Sequence, residues 1–233
     1  MHKVKRLGPH IPIEKRRFIH SLIFPSVFLL IIFVVKLIET LEGISLSEWG
    51  VRPLSGEGIW GILFSPLIHG DWDHLYSNSV TLFILGITLF YFYNKIAYKV
   101  FFLIYFLSGL GVWLAARDSW HIGASGVIYG LASFLAVSGI LRHHIRLTAI
   151  SLLVIFFYGG MVWGAFPLKI DLPYSWEGHF WGGLAGLLMA MVYRKEGPQR
   201  PRSPLEDEED TDEEEEEEEE EEDPYWMNTN IEP

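Results

Sequence analysis

Apolar residues along this chain gather into long runs separated by short polar breaks, and six stretches stand out, at 18–38, 75–93, 99–116, 125–141, 147–166 and 177–193. A bilayer core about 30 Å thick takes roughly 20 apolar residues per crossing helix, so the pattern predicts an all-α membrane protein with six transmembrane helices. The fourth and sixth stretches are rich in Gly, Ser and Ala, the small residues that closely packed helices use inside a membrane protein. The first, third and fifth carry mainly Phe, Leu, Ile and Val, which suits helices that face lipid. Between the first two, residues 39–74 hold Trp49, Trp60, Ile62, Leu63 and Phe64. This content is too apolar for a free linker. A folded hairpin partly embedded in the membrane is expected, with an interfacial aromatic anchor as the alternative.

Charge sharpens this picture. The formal net charge of −11 comes from a single region: residues 206–223 hold 17 acidic residues and no basic one, while outside them 12 acids face 18 Lys and Arg. Positive charge follows the predicted topology. Fourteen Lys and Arg fall on the side of the two termini, and only Lys36, Arg52, Arg117 and Lys169 fall on the other. Basic residues mark the cytoplasmic side, so both termini are expected in the cytoplasm, with the protein in the cell (inner) membrane. The first run follows Lys15, Arg16 and Arg17 but lacks a small-residue cleavage site, and it reads as a retained helix rather than a signal peptide. The expected organisation is a basic arm over 1–17, a six-helix core over 18–195 and a Pro-rich, poly-Glu tail over 196–233 that cannot bury enough apolar surface to order itself. With no cysteine in the chain, disulfides, thiolate catalysis and Cys-ligated zinc are excluded. No cofactor, metal ion or nucleic acid is expected.

Polar groups in membrane helices are costly and mark candidate sites. In GASGVIYG (residues 123–130), Ser125 opens the fourth helix between Gly123 and Gly126. Its hydroxyl can face a polar cavity while nearby N–H groups stabilise an oxyanion; a tight, small-residue helix start is the plain alternative. In EGHFWGGLAG (177–186), Gly182 and Gly186 lie four apart and permit close helix approach, which would carry His179 against a neighbouring helix. The same pattern is also compatible with a packing seam bearing an interfacial histidine. In HGDWDHLYSN (69–78), His74 and Asn78 share a helical face and could bind an ion, a solute or a developing oxyanion. His69, Asp71, Asp73 and His74 also invite a metal reading, although the spacing of five between the histidines suits one helical face poorly. All three clusters fall at the outer ends of predicted helices, and together they contain a nucleophile, a base and hydrogen-bond donors, the parts acyl transfer needs.

These motifs, in this order and topology, resemble the rhomboid family of intramembrane serine proteases. The resemblance covers roughly residues 18–193 and includes G-A-S-G, H-x-x-G-x-x-x-G, H-x-x-x-N and the W-G-V-R segment at 49–52. It implies a rhomboid-like bundle in which Ser125 is the nucleophile and His179 the general base, then acid. His74, Asn78 and the Ser125 N–H would form the oxyanion hole, and Tyr129 would pack on the histidine. No Asp is placed to orient His179, so aromatic packing would stand in for a triad's third member. Gly178 departs from the alanine often found there. The implied partners are transmembrane protein substrates and the lipid bilayer. Two rivals are a non-catalytic scaffold that binds transmembrane segments and a small-solute transporter; the latter would often show an internal repeat, which is not seen.

Overall fold

The computed structural model describes residues 12–167 and 175–201. Most of the basic arm, Lys169 and nearly all of the acidic tail, including its poly-Glu run, lie outside the described residues. The chain divides into 1–199 and 200–233, and all described elements belong to the first part. In order they are α1 (Ile13–Glu42), 3-10 turns at Ser47–Trp49 and Gly58–Trp60, α2 (Gly61–Phe64), a 3-10 turn at Ser65–Leu67, α3 (Trp72–Phe92), α4 (Ala97–Ala115), α5 (Ser125–Leu141), α6 (Ile145–Tyr158), a 3-10 stretch at Gly159–Ala165, and α7 (Trp176–Val192). Among the described residues there is no strand; one isolated antiparallel bridge joins Val51 and His121.

Helix ends follow local chemistry. α1 outruns its apolar stretch at both ends and stops at Gly43, whose φ of 64° lets its N–H turn back to the Glu39 carbonyl, a common glycine stop. Asp71 caps α3 by accepting from the His74 N–H at 2.7 Å, and Ser175 caps α7 by accepting from the Gly178 N–H at 3.1 Å. Such caps satisfy amides the helix cannot.

Four helical segments are long and apolar enough to cross a membrane: Ile13–Glu42, Trp72–Phe92, Ala97–Ala115 and Ile145–Ala165. The fourth counts α6 together with its 3-10 continuation. α5 and α7 have 17 residues each, about 25 Å at 1.5 Å per residue, and fall short on length. α7 buries one face against α4 and α5 and leaves Leu184, Leu188 and Val192 exposed on the other. α5 is central, packing on α3, α4, α6 and α7, with Leu131, Phe134 and Leu135 fully buried. α4 departs from its composition: 44% of its most apolar stretch is buried, the same share as for α3, because Phe101, Ile104 and Tyr105 turn inward. It is therefore less of a lipid-facing helix than its Phe and Leu content suggests.

The segment before α3 is folded. The Leu54 N–H donates to the Trp113 carbonyl and Val51 exchanges backbone bonds with His121. Trp113 Nε1 donates to the Ser55 carbonyl at 3.0 Å. Arg52 pairs with Asp118 at 2.9 Å and lies over the Trp120 ring. Their hydrogen bond, followed by their mutual attraction, raises the pKa of Arg52 and lowers that of Asp118.

Candidate active site

α5 and α7 meet backbone to backbone. A methyl group on Gly182 would collide with the Gly126 carbonyl, and one on Gly186 with that of Gly130. Any side chain at these positions would push the helices apart. With the helices this close, Ser125 at the head of α5 and His179 in the first turn of α7 come within reach of each other. Ser125 Oγ lies 2.9 Å from His179 Nε2. The other ring nitrogen, Nδ1, is 2.9 Å from the Gly164 carbonyl. A carbonyl can only accept, so Nδ1 carries the proton and Nε2 presents a lone pair to the serine hydroxyl.

Tyr129, one turn beyond Ser125, stacks on the imidazole with ring centroids 4.2 Å apart and planes 5° from parallel. Its hydroxyl donates to the Met161 carbonyl at 2.7 Å. The place an aspartate would take in a triad is thus held by a backbone carbonyl, that of Gly164, with an aromatic face beside it. Gly164 must itself be small, because a methyl group there would strike the Tyr129 hydroxyl. At Gly178 a methyl group would meet Ser175 Oγ at 3.2 Å, a tight contact to which the capping hydroxyl would have to yield by a few tenths of an ångström.

His74 and Asn78 gather on the same side of the serine. Gly123 has φ of 105°, and a side chain there would sit 2.8 Å from His74 Cε1 and 3.7 Å from Asn78 Nδ2. Only a glycine at this position gives the α5 head its backbone turn while leaving room for both side chains. His69 joins them. It is 1% exposed, and its Nε2 faces Asn78 Nδ2 at 3.1 Å and the Ala124 N–H at 3.4 Å. A backbone N–H can only donate, so His69 Nε2 is an acceptor. Burial, then the neighbouring His74, lowers the His69 pKa to about 3 and keeps the ring neutral. The His69 and Gly70 carbonyls are held by Lys36 Nζ from α1, each at 2.9 Å, and Lys36 also reaches Glu39 at 3.5 Å.

A second chain of hydrogen bonds sets the start of α7. His121 Nε2 donates to the Arg117 carbonyl at 3.0 Å, so His121 Nδ1 accepts from the Ser175 hydroxyl at 2.7 Å, and Ser175 accepts in turn from the Gly178 N–H. Beside Ser125 is a small cavity of about 30 Å³ with Ser65, Ser108, His121 and Ser175 among its lining residues. That volume and polarity suit a water molecule. A larger apolar cavity, about 300 Å³, runs between α5, α6 and α7 from Tyr129 to Leu187.

Sequence reasoning singled out Ser125, His179, Tyr129, His74, Asn78, Gly123, Gly126, Gly182 and Gly186, and all of them lie in or around this cluster. It missed Gly164, Ser175 and His121, and it considered His69 only as a metal ligand.

Residues 56–196 match the rhomboid domain family. The chain belongs to the rhomboid family. Its relatives include an uncharacterized protein of Mycobacterium tuberculosis, 36% identical over 180 residues that make up 74% of each chain. Another is an uncharacterized protein of Mycobacterium leprae, 30% identical over 187 residues, 77% of this chain and 73% of the relative. The family and the apolar helices together make this rhomboid an integral membrane protein, from a family whose members are in general intramembrane serine proteases.

Proposed function

We propose that this rhomboid is an intramembrane serine endopeptidase that cleaves peptide bonds in or near transmembrane segments with a Ser125–His179 dyad. The observation that carries this reading is the 2.9 Å contact between Ser125 Oγ and His179 Nε2, in the one tautomer that lets the imidazole accept the serine proton.

Ser125 Oγ attacks the scissile carbonyl carbon as its proton passes to His179 Nε2. The imidazolium that forms keeps its Nδ1–H on the Gly164 carbonyl and its face on Tyr129, where the ring's negative face stabilises the cation. The carbonyl oxygen becomes an oxyanion and takes hydrogen bonds from the Ser125 N–H, His74 and the amide N–H of Asn78 not directed at His69. Collapse breaks the C–N bond, and His179 Nε2 returns the proton to the leaving amine. Water then attacks the acyl-serine carbon, gives a proton to His179, and the second collapse returns it to Ser125 Oγ, freeing the new carboxyl end. The polar cavity beside Ser125 is a suitable place for that water. On this reading six helices cross the membrane, both termini are cytoplasmic and the dyad lies toward the outer face, where a substrate helix must unwind locally to present its carbonyl.

The test is the full-length protein in detergent, treated with a fluorophosphonate probe and with a model transmembrane substrate. Wild type is expected to be labelled and to cleave, and Ser125→Ala to do neither. Labelling that survives Ser125→Ala overturns the reading. Absence of both labelling and cleavage in wild type favours the scaffold instead.

A further inference from the structure

At the end of the bundle farthest from Ser125, the first turns of α1 and the end of α3 enclose an open cavity of about 410 Å³ lined by Ile13, Arg16, Arg17, His20, Phe90 and Asn94. The cavity is within the size range of small-molecule sites. Its chemistry is one-sided: two guanidinium groups, an imidazole and a carboxamide line it, and no acid does among the described residues. None of the ion pairs among the described residues involves Arg16 or Arg17.

Arg17 is the telling residue. Its guanidinium lies over the Tyr91 ring at 5.4 Å, which holds the side chain in place. Its side chain also lines the cavity, and a planar cationic fork set there matches a phosphate group.

Depth within the bundle identifies the source of the phosphate. Immediately past the cavity, Phe18, Ile19 and Ile23 of α1 are about half exposed, as residues facing acyl chains would be. The cavity therefore sits where the charged end of the protein gives way to its apolar belt, which is the level of lipid headgroups. We infer that it is a binding site for the phosphate of an anionic phospholipid, with Arg16, Arg17, His20 and Asn94 around the headgroup and the acyl chains running along Phe18, Ile19 and Ile23. Basic pockets between membrane helices are known to take such headgroups. The inference does not depend on Ser125 or on proteolysis.

Delipidated full-length protein in detergent, titrated with dioleoylphosphatidylglycerol or dioleoylphosphatidylcholine and followed by native mass spectrometry, tests it. One phosphatidylglycerol is expected to bind in clear preference to phosphatidylcholine. At about fivefold for each basic residue near a headgroup, Arg16→Gln with Arg17→Gln should weaken it roughly 25-fold. Lys95→Gln with Lys99→Gln, at the same end but outside the cavity, should change it less than about twofold. Should the double arginine variant lose helix content by circular dichroism, Asn94→Ala keeps every charge and should still weaken binding about fivefold through a lost hydrogen bond. Equal binding of the two lipids overturns the site, as does wild-type affinity in the arginine variant or, where that one does not fold, in Asn94→Ala. Displacement of the lipid by millimolar inorganic phosphate would make free phosphate the ligand and overturn the lipid assignment.

Discussion

α6 and α7 both pack on α5, and they do so in opposite ways. α7 lies against α5 along Gly126, Gly130, Gly182 and Gly186 with no side chain between the backbones. α6 makes a comparable approach only near its start, where the Leu147 carbonyl fills the space that Gly139 leaves open and Ser151 donates to the Leu135 carbonyl at 2.7 Å. Farther along, the 300 Å³ cavity opens between α6 and its neighbours, and Phe156 is 80% exposed. Only 17% of the most apolar stretch of Ile145–Ala165 is buried. Yet this sparsely packed segment supplies the Gly164 carbonyl that holds the His179 proton and the Met161 carbonyl that receives the Tyr129 hydroxyl. Dense packing sets the distance from serine to histidine, while a loosely packed wall sets the histidine's tautomer through the Gly164 carbonyl and holds the ring stacked on it through the Met161 carbonyl.

That division of labour can be broken from either side. The largest effect is expected from Gly182→Ala. Its methyl group meets the Gly126 carbonyl, so the helices must separate, at a cost of about 3 kcal/mol for overpacking, and cleavage should fall to background. Unfolding in a denaturant series and the cleavage rate measure the two losses; a variant as stable and active as wild type would show that the seam does not set the site. Ser175→Ala removes the α7 cap and its link to His121, and should cost about 1 kcal/mol of stability with cleavage slowed a few-fold. Tyr129→Phe keeps the stacked ring and removes the hydroxyl that donates to the Met161 carbonyl. A neutral hydrogen bond contributes about 1 kcal/mol, so the rate should drop less than tenfold and fluorophosphonate labelling should persist. Phe156→Ala, on the outward face of α6, should change stability by less than about 0.5 kcal/mol; a large loss would mean that this face is covered.

Much of the cluster was legible in the sequence because its members are side chains with spacing rules. Gly182 and Gly186 announce a close helix contact, and His74 with Asn78 announces a shared face. Gly164 left no such trace, since it contributes a carbonyl that every residue possesses, placed by the chain's return from α6. Ser175 and His121 meet across 54 residues, a closure that no local pattern encodes. His69 was visible, but its neighbours suggested a metal; in the fold Asp71 is occupied in capping α3, while His69 turns toward Asn78 and Ala124. The helix count shows the limit of hydropathy. An interior helix such as α5 answers to its protein neighbours rather than to bilayer thickness, and so it can be shorter than a lipid-facing span; α7 is equally short although it keeps an exposed apolar face.

The glycine seam also bears on how this protein responds to temperature. Contacts made by interdigitated side chains have alternative rotamers, and warming populates them. A carbonyl resting on the α-carbon of a facing glycine has none to populate. The separation of the two helix heads is therefore governed by bond lengths and van der Waals radii, which barely change over the range in which a cell lives. What warming can loosen is the wall that carries Gly164, so a gradual loss of the histidine's orientation should come before any loss of its distance from the serine.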